Sequence, residues 1–414
     1  MARSKSAVSP FAAGVFFWAA LACAVTGISP PAALASSSVD TDPLNYDPLV
    51  REAFAHYYNL DYEGALSRFE RVRAEHPNDP IATAYVLDCV LIHELYDLDL
   101  LDSTFYANDG FLSAKHPVQE DPRVRDQINA LADKTIQMAD AALAARPDDL
   151  NALFVRGWAR SLKATYEAVV ERQYVSALRL ALQAHSDHQH VLDKDPNYVD
   201  AKLVVGVYQY VVGSLSFGFK VVVGFAGIGG SKSRGLELLS DSAARGVISS
   251  IESRTCLAFF LRREAQYKRA IEIVRTQTRE YPRNFLFALE EANLLKDDGQ
   301  GMAAIEAYRK IVREGKVSGY YQGAQMELAY FALGESLRGQ KMYPDAAAAY
   351  KEASAQPTTS PELKRRSLLA AGQVYDLMHE HDKARSEYLA VVAAGADSSQ
   401  AEQARRYMRG GFRE

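Results

Sequence analysis

Four times in its C-terminal half the chain repeats one short pattern, and this periodicity restricts its fold more than any other feature. Tyr267-x-x-Ala270-x-x-x-Val274, followed by Pro282, is matched by Ala304-x-x-x-Tyr308, by Tyr343-x-x-Ala346-x-x-x-Tyr350 and by His381-x-x-Ala384-x-x-x-Tyr388. Successive anchor alanines stand 34, 42 and 38 residues apart. The surplus falls in 315–323 (GKVSGYYQG) and 357–361 (PTTSP), where a loop lengthens without disturbing helices. Twelve residues before each anchor stands a small residue: Ala258, Ala292, Gly334 and Gly372. Ala53 holds that place before Ala65, where Tyr62-x-x-Ala65-x-x-x-Phe69 and then Pro77 make a fifth copy. A unit of this length cannot bury its apolar face alone and must stack on its neighbours. Antiparallel helices approach closely only where small residues cross, and the large residue four positions on fills the groove beside them. The proline then ends the second helix.

With its small residue, Ala-x-x-x-aromatic core and closing Pro, the pattern resembles the tetratricopeptide repeat family. The family's Trp is absent, and Gly stands at two of the five small-residue sites. The resemblance implies an all-α, right-handed solenoid of antiparallel helix pairs that binds protein or peptide partners and is not an enzyme.

The resemblance is strong over 251–395, read as four regular repeats, and good over 48–80. Residues 48–250 read as irregular repeats of the same kind. Arg146-Pro147-Asp148 and Asp195-Pro196-Asn197 look like turns between repeats, and 151–170 with 174–192 reads as a long helix pair. Two features interrupt this half: a loop at 102–121, too long for a compact solenoid, and a Gly-rich turn at 224–230. Residues 217–239 resemble the midsection of a wider group of tetratricopeptide proteins. Residues 396–414 read as a C-terminal capping helix and tail.

The first residues have a different character. Arg3 and Lys5 precede a 15-residue apolar run, Phe11 to Val25, then Pro30, Pro31 and the small-x-small sequence Ala33-Leu34-Ala35. This is the layout of a secretory signal peptide over 1–35, followed by a linker over 36–47. The run is short of the ~20 residues that span a bilayer, so no transmembrane segment is expected in the mature chain. The expected location is periplasmic or extracellular. Cys23 lacks the setting of a lipoprotein box, which argues against an outer-membrane lipoprotein. Cys89 and Cys256, each in an apolar helical pattern, are expected as buried thiols and not as a disulfide. The formal net charge of -5, with no long basic run, argues against nucleic acid as a partner.

No constellation reads as catalytic or cofactor-binding. The Gly-rich stretch ending in Ser231-Lys232-Ser233 lacks the Gly-Lys pair of a phosphate loop, and Ser231 or Ser233 is expected to cap a helix starting near Arg234. His185, His188 and His190 with Asp187 and Asp193 do not gather three ligands on one helix face. They are read as a solvated face, with no metal.

In such a solenoid the first helix of each repeat lines the concave surface. The recurring face carries Phe259 and Arg262, Asn293 and Lys296, Glu335 and Arg338, then Gln373 and Asp376. This strip is the expected peptide-binding surface, with Arg262, Lys296 and Arg338 solvated and aimed at an acidic peptide. The alternative expectation is a solute-binding or transport-accessory protein with an enclosed pocket lined by residues such as Tyr208, Tyr210 and Phe217.

Overall fold

Short polar residues before proline start many of the helices. Asp47-Pro48, Asp79-Pro80, Asp121-Pro122 and Ser360-Pro361 each place an N-cap before a proline at the first helical position, and each cap side chain accepts a backbone N–H of the first turn. Proline sacrifices no hydrogen bond there and arrives with φ already helical. The computed structural model describes residues 41–101, 120–215, 229–321 and 323–414. The expected signal segment, residues 102–119 of the expected loop and most of the Gly-rich turn lie outside the described residues.

The described chain is all α apart from two short 3-10 turns, and it divides into two units, 1–264 and 265–414. The division falls inside the repeat anchored on Ala270, whereas the change from irregular to regular repeats reads near 250.

The first unit holds α1 (Pro48–Tyr58), α2 (Tyr62–Glu75), α3 (Pro80–Asp97), α4 (Pro122–Ala145), α5 (Leu150–Val169), α6 (Tyr174–Lys194), α7 (Lys202–Ser214), α8 (Lys232–Arg245) and α9 (Ser250–Arg263). Each packs mainly on its neighbour in sequence, and α3 also meets α5. The long pair expected at 151–170 and 174–192 is α5 with α6. Helix α3 is buried on nearly every side, from Ile81 to Leu91. A helix surrounded in this way sits at the centre of its unit. Ser231 caps α8 by accepting from the Arg234 N–H, as expected of the Gly-rich stretch.

The segment read as a linker is not one from Thr41 on. Thr41 and Asn45 are fully buried, and a 3-10 turn spans Pro43–Tyr46. Asn45 donates to Thr41 Oγ1 (2.6 Å) and accepts from the Tyr85 hydroxyl (2.5 Å), while Thr41 donates to Asp200. Asp200 also accepts from the backbone N–H groups of Val247 (2.8 Å), Ile248 (3.2 Å) and Ser249 (3.1 Å) and from the Ser249 hydroxyl (2.7 Å). Buried polar groups need such partners, and this network supplies them.

The second unit holds α10 (Tyr267–Glu280), α11 (Phe285–Asp297), α12 (Gly301–Gly315), α13 (Met326–Gly339), α14 (Tyr343–Ala355), α15 (Pro361–Leu377), α16 (His381–Ala393) and α17 (Ser399–Gly410). Here too each helix packs on the next. The anchors Ala270, Ala304, Ala346 and Ala384 are buried, as are Val274, Tyr308, Tyr350 and Tyr388 four positions on. Helix α17 closes the array, with Ala401 and Ala404 against Leu368, Leu369 and Tyr388.

The turn inside each repeat carries one residue in the left-handed region, always five positions before the anchor. These are Leu60, Ala265, Gly299, Lys341 and His379. Arg172 does the same before Ala177, so the pair α5–α6 is a further copy of the unit. Its sequence cue is Tyr174-x-x-Ala177, the opening half of the motif without its aromatic.

Candidate functional site

Inside the first unit lies a cavity of about 250 Å³. Helix α5 presents Phe154, Trp158, Leu162 and Thr165 to it, spaced so that they share one helix face. Helix α7 adds Leu203, Val204 and Val207, and α9 adds Glu252 and Cys256 one turn apart. Tyr57 of α1, Asp88 and Ile92 of α3 and His188 of α6 also line it, with Ser161 of α5 and, outside these helices, Asp200, Ile248 and Ser249.

The polar groups here are unusual for so apolar a lining. Asp88 is 6% exposed, and burial pushes its carboxyl up to about 7 against a hydrogen bond from Tyr57 that pulls the other way. Burial, then the nearby Asp88, lifts Glu252 to about 8. The Tyr58 hydroxyl donates to one Glu252 oxygen, and the other, Oε2, has no hydrogen-bond partner. Glu252 and Cys256 keep some accessible surface, and both line this cavity. Burial raises the Cys256 thiol to about 12, far from the range of a reactive cysteine. Both cysteines among the described residues are free, and Cys89 is buried.

His188 is 1% exposed, and neither ring nitrogen has a hydrogen-bond partner. Burial lowers it to about 3 and His185 to about 4, so both are neutral near pH 7. The expectation of a solvated face fails for His185, Asp187 and His188, which are buried, and holds for His190 and Asp193, which are exposed. Asp187, between them, is buried under two cations: Arg156 contacts its carboxylate at 2.6 Å and 3.1 Å, and Arg160 at 2.6 Å. This clamp between α5 and α6 neutralises the charge and lets the helix turn its histidines inward. His185 stacks on Tyr208 with ring centroids 3.6 Å apart. No group of three or more metal-ligating side chains occurs among the described residues.

The pocket expected around Tyr208, Tyr210 and Phe217 is not this one. Tyr208 is taken up by His185, Tyr210 stacks on Phe260 (3.9 Å) and donates to Glu264 (2.7 Å), and Phe217 lies outside the described residues. Asp88 escaped notice in the sequence, although a lone carboxylate in the run Ile81–Ile92 was a readable signal.

In the second unit the expected strip separates into residues of different roles. Asn293 is buried and accepts from the Tyr308 hydroxyl (2.6 Å). Glu335, exposed, accepts from Tyr350 (2.5 Å), fifteen positions on in both cases. These two side chains tie the helices of their own repeats together. Lys296 is exposed. Arg338 is not solvated as expected: it donates to Gln373 (2.8 Å) and to Glu414 (3.1 Å), with its guanidinium 5.1 Å from the Phe412 ring centre. Asp376, buried, accepts from the Tyr388 hydroxyl (2.8 Å) and the Phe412 N–H (2.7 Å) and faces His381 Nδ1 (2.9 Å). Gly411, at φ 69, makes the reversal that brings Phe412 back from α17 to this place. Arg338, Gln373 and Asp376 are thus gathered around the chain's own residues 412–414. Phe259 and Arg262 belong to the first unit, both half-buried, with Phe259 beneath the Arg263 guanidinium (5.9 Å).

No family model and no curated protein matches the sequence. Among solved structures, a tetratricopeptide repeat protein from Parabacteroides merdae aligns at 13% identity and TM-score 0.33 over 79% of this chain and 98% of that one. Human IFIT1, solved as a dimer with m7Gppp-AAAA, aligns at 11% identity and TM-score 0.40 over 87% and 82%. Yeast Tom70 aligns at 12% and 0.35 over 88% of each chain. Likeness at this level transfers no activity. The small residues, anchor alanines and aromatic plugs packed repeat after repeat make this an all-α helical-repeat protein with a tetratricopeptide-like fold.

Proposed function

We propose that the chain is a non-enzymatic scaffold that binds a peptide segment on the first-helix face of its second unit, centred on Arg338, Gln373 and Asp376. One observation carries this reading: residues 412–414 of the chain already lie there, held by a carboxylate on Arg338, a ring against its guanidinium and a backbone N–H on Asp376. The partner segment would carry the same chemistry, an aromatic residue two positions before an acidic one, and would displace the chain's own residues. Charge-assisted pairing supplies orientation, and the ring supplies buried area. The apolar run at 11–25, with its flanks, supports action in the periplasm or outside the cell, and the negative net charge supports a protein over a nucleic-acid partner.

A labelled peptide of residues 408–414 (MRGGFRE) tests the site by fluorescence anisotropy. It should bind a Phe412→Ala/Glu414→Gln variant more tightly than the unaltered chain, because the competing segment is weakened. Adding Arg338→Ala should weaken that binding about fivefold. An absence of binding to the double variant would overturn the reading. Cell fractionation tests the location, and recovery only in the cytoplasm would refute export.

A further inference from the structure

We propose that the cavity in the first unit binds an organic cation, a small primary amine with an apolar body. The walls bring carboxyl groups from α3 and α9 to a mostly apolar space, and among the described residues neither Lys nor Arg lines it. Its polar atoms are mostly acceptors, the exception being the one unpaired N–H of His188. Glu252 Oε2 has no partner, and the neutral His188 imidazole keeps a lone pair on one nitrogen. The hydroxyls of Ser161 and Thr165 give their protons to the carbonyls of Trp158 (2.7 Å) and Ser161 (3.0 Å), so what remains available on them is lone pairs. Asp200 and Ser249, at one edge, are satisfied by each other and by Thr41 and the turn before α9.

An ammonium group donates three hydrogen bonds and accepts none, which complements such a set. An anion would meet carboxyls and, among the described residues, no Lys or Arg. The rest of the lining, Phe154, Trp158, Ile92, Leu162, Val204 and Val207, suits a ring or alkyl chain. The volume exceeds the roughly 150 Å³ of an apolar cavity that takes benzene, which leaves space for an aryl-ethyl body and its amine. A cation beside the Trp158 face also gains from the ring quadrupole.

Ionisation follows from the same geometry. Without a cation, burial holds Asp88 and Glu252 in their neutral form near pH 7 or below. Three further titratable groups of the lining stay uncharged from pH 5 to 9: His188 because it is lowered to about 3, Tyr57 because it is raised, and Cys256 because it is raised to about 12. Tyr58 faces Glu252 as a donor, and Asp200 keeps its own donors. Entry of an ammonium favours the carboxylates, so binding releases a proton and strengthens as pH rises.

Calorimetric titration of the full chain with phenethylamine, 2-phenylethanol and 3-phenylpropionate tests this. The amine should bind at least about tenfold more tightly than the alcohol at pH 8, the gap closing toward pH 5.5, and the carboxylate should not bind. At pH 7, buffers of different ionisation heat should report about one proton released per amine. Glu252→Gln should lose about tenfold in amine affinity and keep its affinity for the alcohol. Equal binding of amine and alcohol at pH 8, or no proton release, would overturn the proposal, as would failure of both phenethylamine and hexylamine to bind. The proton count needs no variant, so it decides the matter even if Glu252→Gln does not fold.

Discussion

Gly372 lies against the ring of Tyr388: a Cβ built there would fall 2.5 Å from its Cε1 atom. One repeat earlier, Gly334 meets Tyr350 in the same way at 2.6 Å. Both pairs join the small residue of a first helix to the aromatic of the second, so the repeat's spacing is set by ring against backbone. Gly334→Ala and Gly372→Ala should each destabilise by about 1–3 kcal/mol through overpacking, despite the better helix propensity of Ala. At Gly339 nothing stands within 4 Å, and Gly339→Ala should be neutral or stabilising. Denaturant midpoints of the three variants make the comparison.

The left-handed turn residue offers the opposite outcome. Lys341 sits at φ 58 where Gly299 does the same work in the preceding repeat. An L side chain there costs about 1–2 kcal/mol, partly offset by the greater freedom of Gly in the unfolded chain. Lys341→Gly should therefore raise the midpoint, by less than about 1 kcal/mol in stability. A lowered midpoint would contradict this.

Arg338 and Lys296 were expected to behave alike, and they should not. Arg338→Ala removes a half-exposed ion pair with Glu414 and a cation–ring contact with Phe412. Together these are worth about 1 kcal/mol. Lys296, exposed on its helix, should be within about 0.5 kcal/mol of neutral on replacement by Ala. Thermal melts of the two variants distinguish a packed arginine from a solvated lysine.

Stability should also carry the signature of the cavity acids. Asp88 and Glu252 have folded-state values raised to about 7 and about 8, so the folded chain holds protons that the unfolded chain releases. Their contribution is complete below the ordinary carboxylate range and is lost as pH rises through 7 to 8. His185 and His188, lowered to about 4 and about 3, act at the other end: their contribution is present above pH 6.5 and lost as pH falls toward 4 and 3. Melting temperature should fall from pH 6.5 to about 8 and then level off, and Glu252→Gln should flatten that limb. An unchanged slope in the variant would remove Glu252 from the account.

Thiol chemistry gives an independent check on burial. Cys256 is raised to about 12 by burial, then by Glu252, and Cys89 is raised further. Neither should react with iodoacetamide at pH 8 in the folded chain, and both should react once it is unfolded in urea. Mass spectrometry reads the result, and rapid labelling of folded Cys256 would show that its environment opens to solvent.

The repeat was legible because its causes are local. Ala270, Ala304, Ala346 and Ala384 with their partners at minus twelve and plus four read directly from the chain, since two joined helices must pack on each other whatever surrounds them. Asp-Pro and Ser-Pro caps mark helix starts for the same reason. The pair α5–α6 reads as helices among irregular repeats but without a register, because Ala181 stands where the aromatic belongs and only the left-handed Arg172 reveals it. The cavity depended on folding: Tyr57 and Cys256 are 199 positions apart, and six helices contribute to its wall. Whether a histidine faces water or the interior turned on the Arg156 and Arg160 clamp over Asp187, which no pattern within α6 contains. Arg338 read as a solvated cation because its partners, Phe412 and Glu414, follow two further helix pairs. Local pattern governs where helices begin, end and touch their sequence neighbours; burial, pairing and ionisation depend on groups that only the packed helices bring together.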